Sequence, residues 1–261
     1  KLLTGSTRKK ERDAIHQQLE DGSLHILIGT HAVIEDNVQF KNLGFVVIDE
    51  QHRFGVEQRN TLGQKGERPH TLVMSATPIP RTLALMIYGE LDISVIDELP
   101  PGRQKVDTFV VDERYRARLN AFIRKLVSEG RQVFIVCPMV EESESLPENV
   151  KSAEAFALEL QEKHLPDLRI GCIHGRMKLR DKEDIMLRFS RGEMDVLVST
   201  TVIEVGVDVP NAALMIVENA DRFGLSQLHQ LRGRVGRSTR RAYAYFTFTR
   251  GKVLSEISQK R

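Results

Sequence analysis

The chain has 261 residues, of which 41% are hydrophobic and 28% charged, and its 38 Lys and Arg against 36 Asp and Glu leave a net charge of only +2. That length supports two cores of about 100 to 150 residues each. No apolar run approaches the ~20 residues of a membrane helix, two cysteines are too few for a disulfide scaffold, and the charge neither demands nor forbids a polyanionic partner.

In chain order, KLLTG lacks the basic stretch and apolar core of a secretory signal. Apolar runs of strand type follow at 24–29, 45–49, 71–76, 133–137, 169–173, 195–200 and 214–219. Between them, 112–130 places Tyr115, Leu119, Phe122, Ile123 and Leu126 on one helical face and stops at Gly130. Strands alternating with helices predict an α/β protein with parallel sheets covered on both faces. Cys137 and Cys172 each sit in an apolar strand context, which predicts buried thiols and a cytoplasmic protein.

Shifting the chain against itself by about 170 positions aligns LLTGSTRKKERDAIHQQLEDGSLHILIGT with CIHGRMKLRDKEDIMLRFSRGEMDVLVST without a gap. Identities fall at Gly5/Gly175, Ile15/Ile185, Gly22/Gly192, Leu27/Leu197 and Thr30/Thr200. Two unrelated strand–helix–strand units would share some of this, but the unbroken order of turn, charged helix, glycine stop and Thr-ended strand favours duplication of a domain-sized unit. DELPPGRQK, residues 97–105, reads as the hinge, which divides the chain into domains 1–102 and 103–261 and implies that the first begins part-way through.

Four groups of residues carry chemistry. Asp49 and Glu50 close an apolar strand at the edge where open parallel sheets bind ligands, and paired carboxylates there suit hydrated Mg²⁺ and an attacking water. Such a strand end also fits helix capping or a surface ion pair. Ser75 and Thr77, in MSATPIPRT, fit either hydrogen bonds to those carboxylates or a local turn. In QLRGRVGR, Arg234 and Arg237 are three apart, on one face of a helical turn, and two planar guanidiniums suit a triphosphate; a solvated basic helix is the alternative. The two Thr-ended strands, with TGSTRK and HGRMK, offer glycine turns, hydroxyls and cations that can touch phosphates without reading bases. Aromatics are only 6% and Trp is absent, so no base-stacking platform is predicted, and Phe54, Phe223 and Tyr243 are read as packing residues. His31, His52, His174 and His229 lack metal-ligand spacing and are read as polar or coupling groups.

In this order, DEQH, SAT, STTVIEVGVDVP and QLRGRVGR resemble motifs II, III, V and VI of superfamily 2 helicases. The fuller strings IDEQHRFGVEQR, MSATPIPRTLAL, VCPMVEESE and ENADRFGLSQLHQLRGRVGRS resemble the bacterial RecG branch-migration helicases over essentially the whole chain. The transcription-repair coupling factors share several of them, and VCPMVEESESL favours RecG. The resemblance implies two RecA-like domains, ATP and Mg²⁺ as cofactors, and branched DNA as the partner. It implies that Asp49 and Glu50 hold Mg²⁺ and orient water, that Gln51 and His52 couple nucleotide state to DNA, and that Ser75, Ala76 and Thr77 link hydrolysis to motion. By the same resemblance Glu204, Gly206 and Asp208 sense nucleotide, Arg234 and Arg237 are arginine fingers, and Thr4, Gly5, Thr30, His174, Gly175, Thr200 and Thr201 meet the DNA backbone. Nucleotide would close a cleft between the domains and hydrolysis would open it.

Two departures qualify this. No GxxxxGK[ST] phosphate loop occurs, so that loop is expected to precede Lys1 in a longer protein, together with the wedge domain of RecG proteins; the C-terminal hairpin would only be starting at Arg261. The chain alone is therefore expected to lack ATPase activity, and a passive nucleic-acid-binding module is the competing reading.

Overall fold

The computed structural model describes residues 1–49, 65–67, 69–75, 92–99, 103–138, 153–200 and 209–249. They fall into two units, Lys1–Leu91 and Asp92–Arg261.

The first unit contains β1 (Leu2–Leu3), α1 (Lys9–Asp21), β2 (Ile28–Gly29), β3 (Phe45–Ile48) and β4 (His70–Val73). β1 pairs in parallel with β2, and β3 with β4. α1 turns Ile15 and Leu19 inward onto Leu3, Ala32 and Val38, a small core beneath one face of β1. It ends at Gly22, whose φ of 79° lies in the left-handed region that glycine enters without steric penalty. β3 alternates, with Val46 and Ile48 buried and Phe45 and Val47 exposed, so its two faces meet different surroundings.

The second unit contains β5 (Val106–Asp112), α2 (Arg116–Ser128), β6 (Gln132–Val136), α3 (Ala153–Glu159), β7 (Ile170–Ile173), α4 (Leu179–Ser190), β8 (Val196–Ser199), β9 (Ala212–Val217), α5 (Leu225–Arg232) and β10 (Ala242–Phe248). Its sheet runs β5-β10-β9-β6-β8-β7 with every pairing parallel. Both faces are covered. Phe134, Val136 and Leu197 pack with Met186 and Phe189 of α4 on one side, while Val133, Ile135 and Val198 pack with Ile123 and Leu126 of α2 on the other. Burial of each such side chain contributes about 1.5–3 kcal/mol. The predicted apolar face of α2 is the one that packs, and Gly130 beyond it has a φ of 74°.

At the carboxyl end of β9, Glu218 accepts two hydrogen bonds from Arg116, at 2.7 and 2.6 Å, and one from Thr247 Oγ1 at 2.7 Å. The pair lines a cavity of about 300 Å³. Cys137 is buried and Cys172 half-buried; burial pushes the Cys172 thiol up to about 11 and Cys137 higher still. Phe223 is buried, and Tyr243 meets Phe122 edge to face at 5.1 Å, as packing residues do. Phe54 and His52 lie outside the described residues. Among the described residues no helix is long and apolar enough to cross a membrane.

Two strands, β5 and β10, were not expected from the sequence, whereas β1 is the strand end that opens the first copy of the repeat. VDTFVVD is rich in β-branched residues and carries carboxylates at Asp107 and Asp112, and β10 offers it seven paired positions from Ala242↔Val106 to Phe248↔Asp112. The predicted hinge, 97–105, runs into this strand, and residues 92–99 have no regular structure.

Candidate nucleotide and nucleic-acid sites

The aligned segments share one local geometry. In the first, the Thr7 amide donates to the Thr4 carbonyl at 3.1 Å; 170 positions later the Met177 amide donates to the His174 carbonyl at 3.2 Å. Arg8 precedes α1 with φ −62° and ψ 146°, and Lys178 precedes α4 with φ −62° and ψ 147°. Neither helix start has a side-chain cap; in the second the Asp181 amide donates to the Lys178 carbonyl at 3.1 Å, and the Leu179 and Arg180 amides before it point out of the helix start. Strand register matches as well: Leu3↔Gly29 corresponds to Ile173↔Ser199. Gly22 and Gly192 end the two helices with φ of 79° and 78°.

Each turn is steadied by a cation that the motif reading missed. Arg12 Nη2 donates to the Thr4 carbonyl at 3.3 Å, and Lys182 Nζ to the Gly175 carbonyl at 3.0 Å. These residues are themselves 170 apart, so the alignment already carried the signal. Gly5 and Gly175 are exposed, and a Cβ on either would meet nothing within 4 Å, which leaves the turns open to approach.

The copies differ at their remaining candidates. Thr4 is half-buried, its Oγ1 3.0 Å from Ser6 Oγ and 3.3 Å from Thr7 Oγ1. Its counterpart His174 instead places Nε2 2.7 Å from a Glu154 carboxylate oxygen, a partner the sequence gave no reason to expect. Thr30 is exposed, whereas Thr200 is 7% exposed and its Oγ1 has no hydrogen-bond partner among the described residues. Both strand-end amides are used in the same way, Thr30 to Leu3 and Thr200 to Ile173. Thr201 lies outside the described residues.

Asp49 is exposed just past β3, and Ser75 is exposed just past β4. Ile48 pairs with Val73, and the Met74 amide donates to the Ile48 carbonyl at 2.8 Å, so both groups stand at the carboxyl ends of adjacent parallel strands. Glu50, Gln51, His52, Ala76, Thr77, Glu204, Gly206 and Asp208 lie outside the described residues. Among the described residues no three of His, Cys, Asp and Glu gather as a metal cage. An exposed hard oxygen such as Asp49 fits Mg²⁺ of the kind that arrives with nucleotide phosphates and keeps most of its waters.

Arg234 and Arg237 lie beyond α5, which ends at Arg232, rather than on a helical face. The reason is Gly236, at φ 76°, which turns the chain toward β10. Arg234 is half-buried and Arg237 exposed, with Arg237 Nε donating to the Gly233 carbonyl at 3.3 Å. Within α5, burial and then the nearby Arg232 hold His229 below its usual pKa, and its Nδ1 lies 3.0 Å from Arg232 Nη2.

Residues 1–86 match the DEAD/DEAH box helicase family and residues 117–239 the helicase conserved C-terminal domain. The ATP-dependent DNA helicase RecG of Synechocystis is 55% identical over 242 residues, 93% of this chain and 29% of the relative. That of Thermotoga maritima is 52% identical over 244 residues, 94% and 31% of the two. A solved RecG bound to a three-way DNA junction is 45% identical, covers all of this chain and 33% of its own, and superposes with a TM-score of 0.70. The chain belongs to the RecG helicase family. It spans about a third of the length of the curated RecG relatives it matches. Its two units are RecA-like helicase domains with parallel sheets, a fold shared with the helicase MrfA, 18% identical at a TM-score of 0.71.

Proposed function

We propose that this chain is motor sequence of a RecG-type, ATP-dependent DNA helicase that remodels branched DNA, by fork reversal and branch migration, in the bacterial cytoplasm. The observation that carries the DNA side is the pair of matching turns. Each unit has one exposed glycine turn leading into an uncapped helix, and so can hold backbone phosphates through amides, hydroxyls and charge, indifferent to base sequence. Thr4, Gly5 and Thr30 make these contacts in the first unit, and His174, Gly175 and Thr201 in the second. Thr200, whose hydroxyl is enclosed, supports the strand end instead. The functional division falls at 102/103.

Asp49 and Glu50 hold Mg²⁺ with the nucleotide and orient the attacking water, and Gln51 and His52 relay nucleotide state. Ser75, Ala76 and Thr77 pass the change in carboxylate environment to the DNA side. Glu204, Gly206 and Asp208 sense nucleotide, and Arg234 and Arg237 stabilise charge on the phosphates as arginine fingers. Bound Mg²⁺–ATP supplies the phosphoryl transfer; this chain's residues position it and alternate the two DNA grips.

The test is DNA-stimulated ATP turnover beside a DNA-binding titration in a RecG-length protein carrying these residues. Arg237→Ala should lower turnover by about 10³ to 10⁵, roughly 4–7 kcal/mol, with DNA affinity nearly unchanged. Lost DNA affinity with full turnover per complex would make Arg237 a DNA ligand and overturn its assignment.

A further inference from the structure

Two contacts tie the segment entering β5 to the turn that carries Arg234 and Arg237. Arg103 Nη2 donates to the Gly233 carbonyl at 3.0 Å, a partly buried bond between residues 130 positions apart. Arg237 Nε donates to that same oxygen at 3.3 Å. A carbonyl oxygen has two lone pairs and can hold both guanidiniums at once. The second contact is at Gly236, where a Cβ would stand 2.9 Å from Val106 Cγ2 and 3.4 Å from the Gln104 carbonyl. Residues 103–106 therefore lie directly against the arginine turn. The sequence before them is weakly held: Ile96 is 92% exposed and Leu99 56%, in a stretch with no regular structure.

We propose that Arg103 is a positioning residue for the arginine turn, holding the Gly233 carbonyl so that Arg237, bonded to the same oxygen, is presented at a fixed angle to the nucleotide phosphates. The inference rests on the role given to Arg237 above. Without Arg103 the α5 end and the Arg237 guanidinium lose a shared anchor, while Arg237 keeps its charge and its reach. The loss then falls on the geometry of the reacting complex rather than on binding. A displacement of about 1 Å in a positioned group costs on the order of a hundredfold in rate.

The experiment uses the RecG-length protein with Arg103→Ala, Arg103→Lys, Arg237→Ala and the Arg103→Ala/Arg237→Ala double variant. It measures kcat and KM for DNA-stimulated ATP hydrolysis, DNA affinity and Tm. Arg103→Ala should lower kcat about ten- to a hundredfold with KM, DNA affinity and Tm nearly unchanged. Lysine, a single-point donor, should recover part of that loss. The double variant should be no slower than Arg237→Ala alone, because both act through one group. A fall in kcat that tracks a fall in Tm, or two losses that multiply, would reduce Arg103 to a structural anchor of β5 and overturn the inference. Full turnover in Arg103→Ala beside an inactive Arg237→Ala would overturn the inference alone. Full turnover in Arg237→Ala would overturn the functional reading and the inference with it.

Discussion

The turns at 4–8 and 174–178 agree to within a degree in the dihedrals of Arg8 and Lys178, yet they stand in opposite surroundings. β2, which follows the first copy, is exposed at both residues, with Ile28 at 65%, whereas its counterpart β8 is buried throughout. Matching local geometry under unequal burial means that the turn is made by nearby residues: a hydrogen bond closing four residues, a basic residue in extended conformation, and a cation on a turn carbonyl, Thr4 in one copy and Gly175 in the other. Burial decides how firmly that geometry is held.

The largest expected contrast is in the helix cores. Phe189 is fully buried, 4.9 Å from the Phe134 ring, and Phe189→Ala should destabilise its unit by about 3–5 kcal/mol. Leu19, its counterpart, lies in the smaller core of α1, and Leu19→Ala should cost about 2 kcal/mol, at the low end for such a change. Urea unfolding of the two variants measures both, and a cost at Leu19 equal to that at Phe189 would end the claim that burial separates the copies.

The helix stops sharpen the comparison from the other side, because their strain is local. Gly22→Ala and Gly192→Ala each force an L side chain into a left-handed conformation and should each cost about 1–2 kcal/mol in the same unfolding assay. Gly22 should cost slightly more, since its Cβ would stand 2.8 Å from Lys41 Cδ, which must move aside. If only one substitution destabilised, the shared geometry would not be shared in energy.

The smallest effects come from the two threonines. Thr30→Val, which removes an exposed hydroxyl, should weaken DNA binding several-fold, the worth of one hydrogen bond at about 1 kcal/mol. Thr200→Val removes a buried hydroxyl that has no partner among the described residues, so stability should hold or rise by under about 1 kcal/mol, with DNA affinity unchanged. Titrations of both variants against the same junction decide this, and a larger DNA-affinity loss at Thr200 would return it to the contact set.

Much of the site was legible because its chemistry is local and ordered along the chain. The 170-residue repeat placed Gly22 and Gly192, and Thr30 and Thr200, in register, and the positions of Asp49 and Ser75 after β3 and β4 followed from strand ends. Position relative to solvent was not legible. Thr30 and Thr200 end similar apolar strands, and only the six-stranded sheet around β8 encloses the second. The arginine turn failed for a related reason: a spacing of three predicted a helical face, while Gly236 takes a left-handed conformation against Gln104 and Val106, residues about 130 positions earlier.

What the sequence determined by itself was therefore the set of short-range structures. These are the α2 face, whose period of 3.6 selects one apolar side, the glycine stops, the repeated turn, and the order of motifs that marks the family. What the tertiary structure decided was everything that needs a distant partner. β5 pairs with β10 over seven residues, His174 after β7 meets Glu154 of α3, and Gly233 accepts from Arg103. Such contacts depend on which segments the sheet order brings together. The energy that selects the order is the burial of both sheet faces at once, which no local stretch of residues encodes.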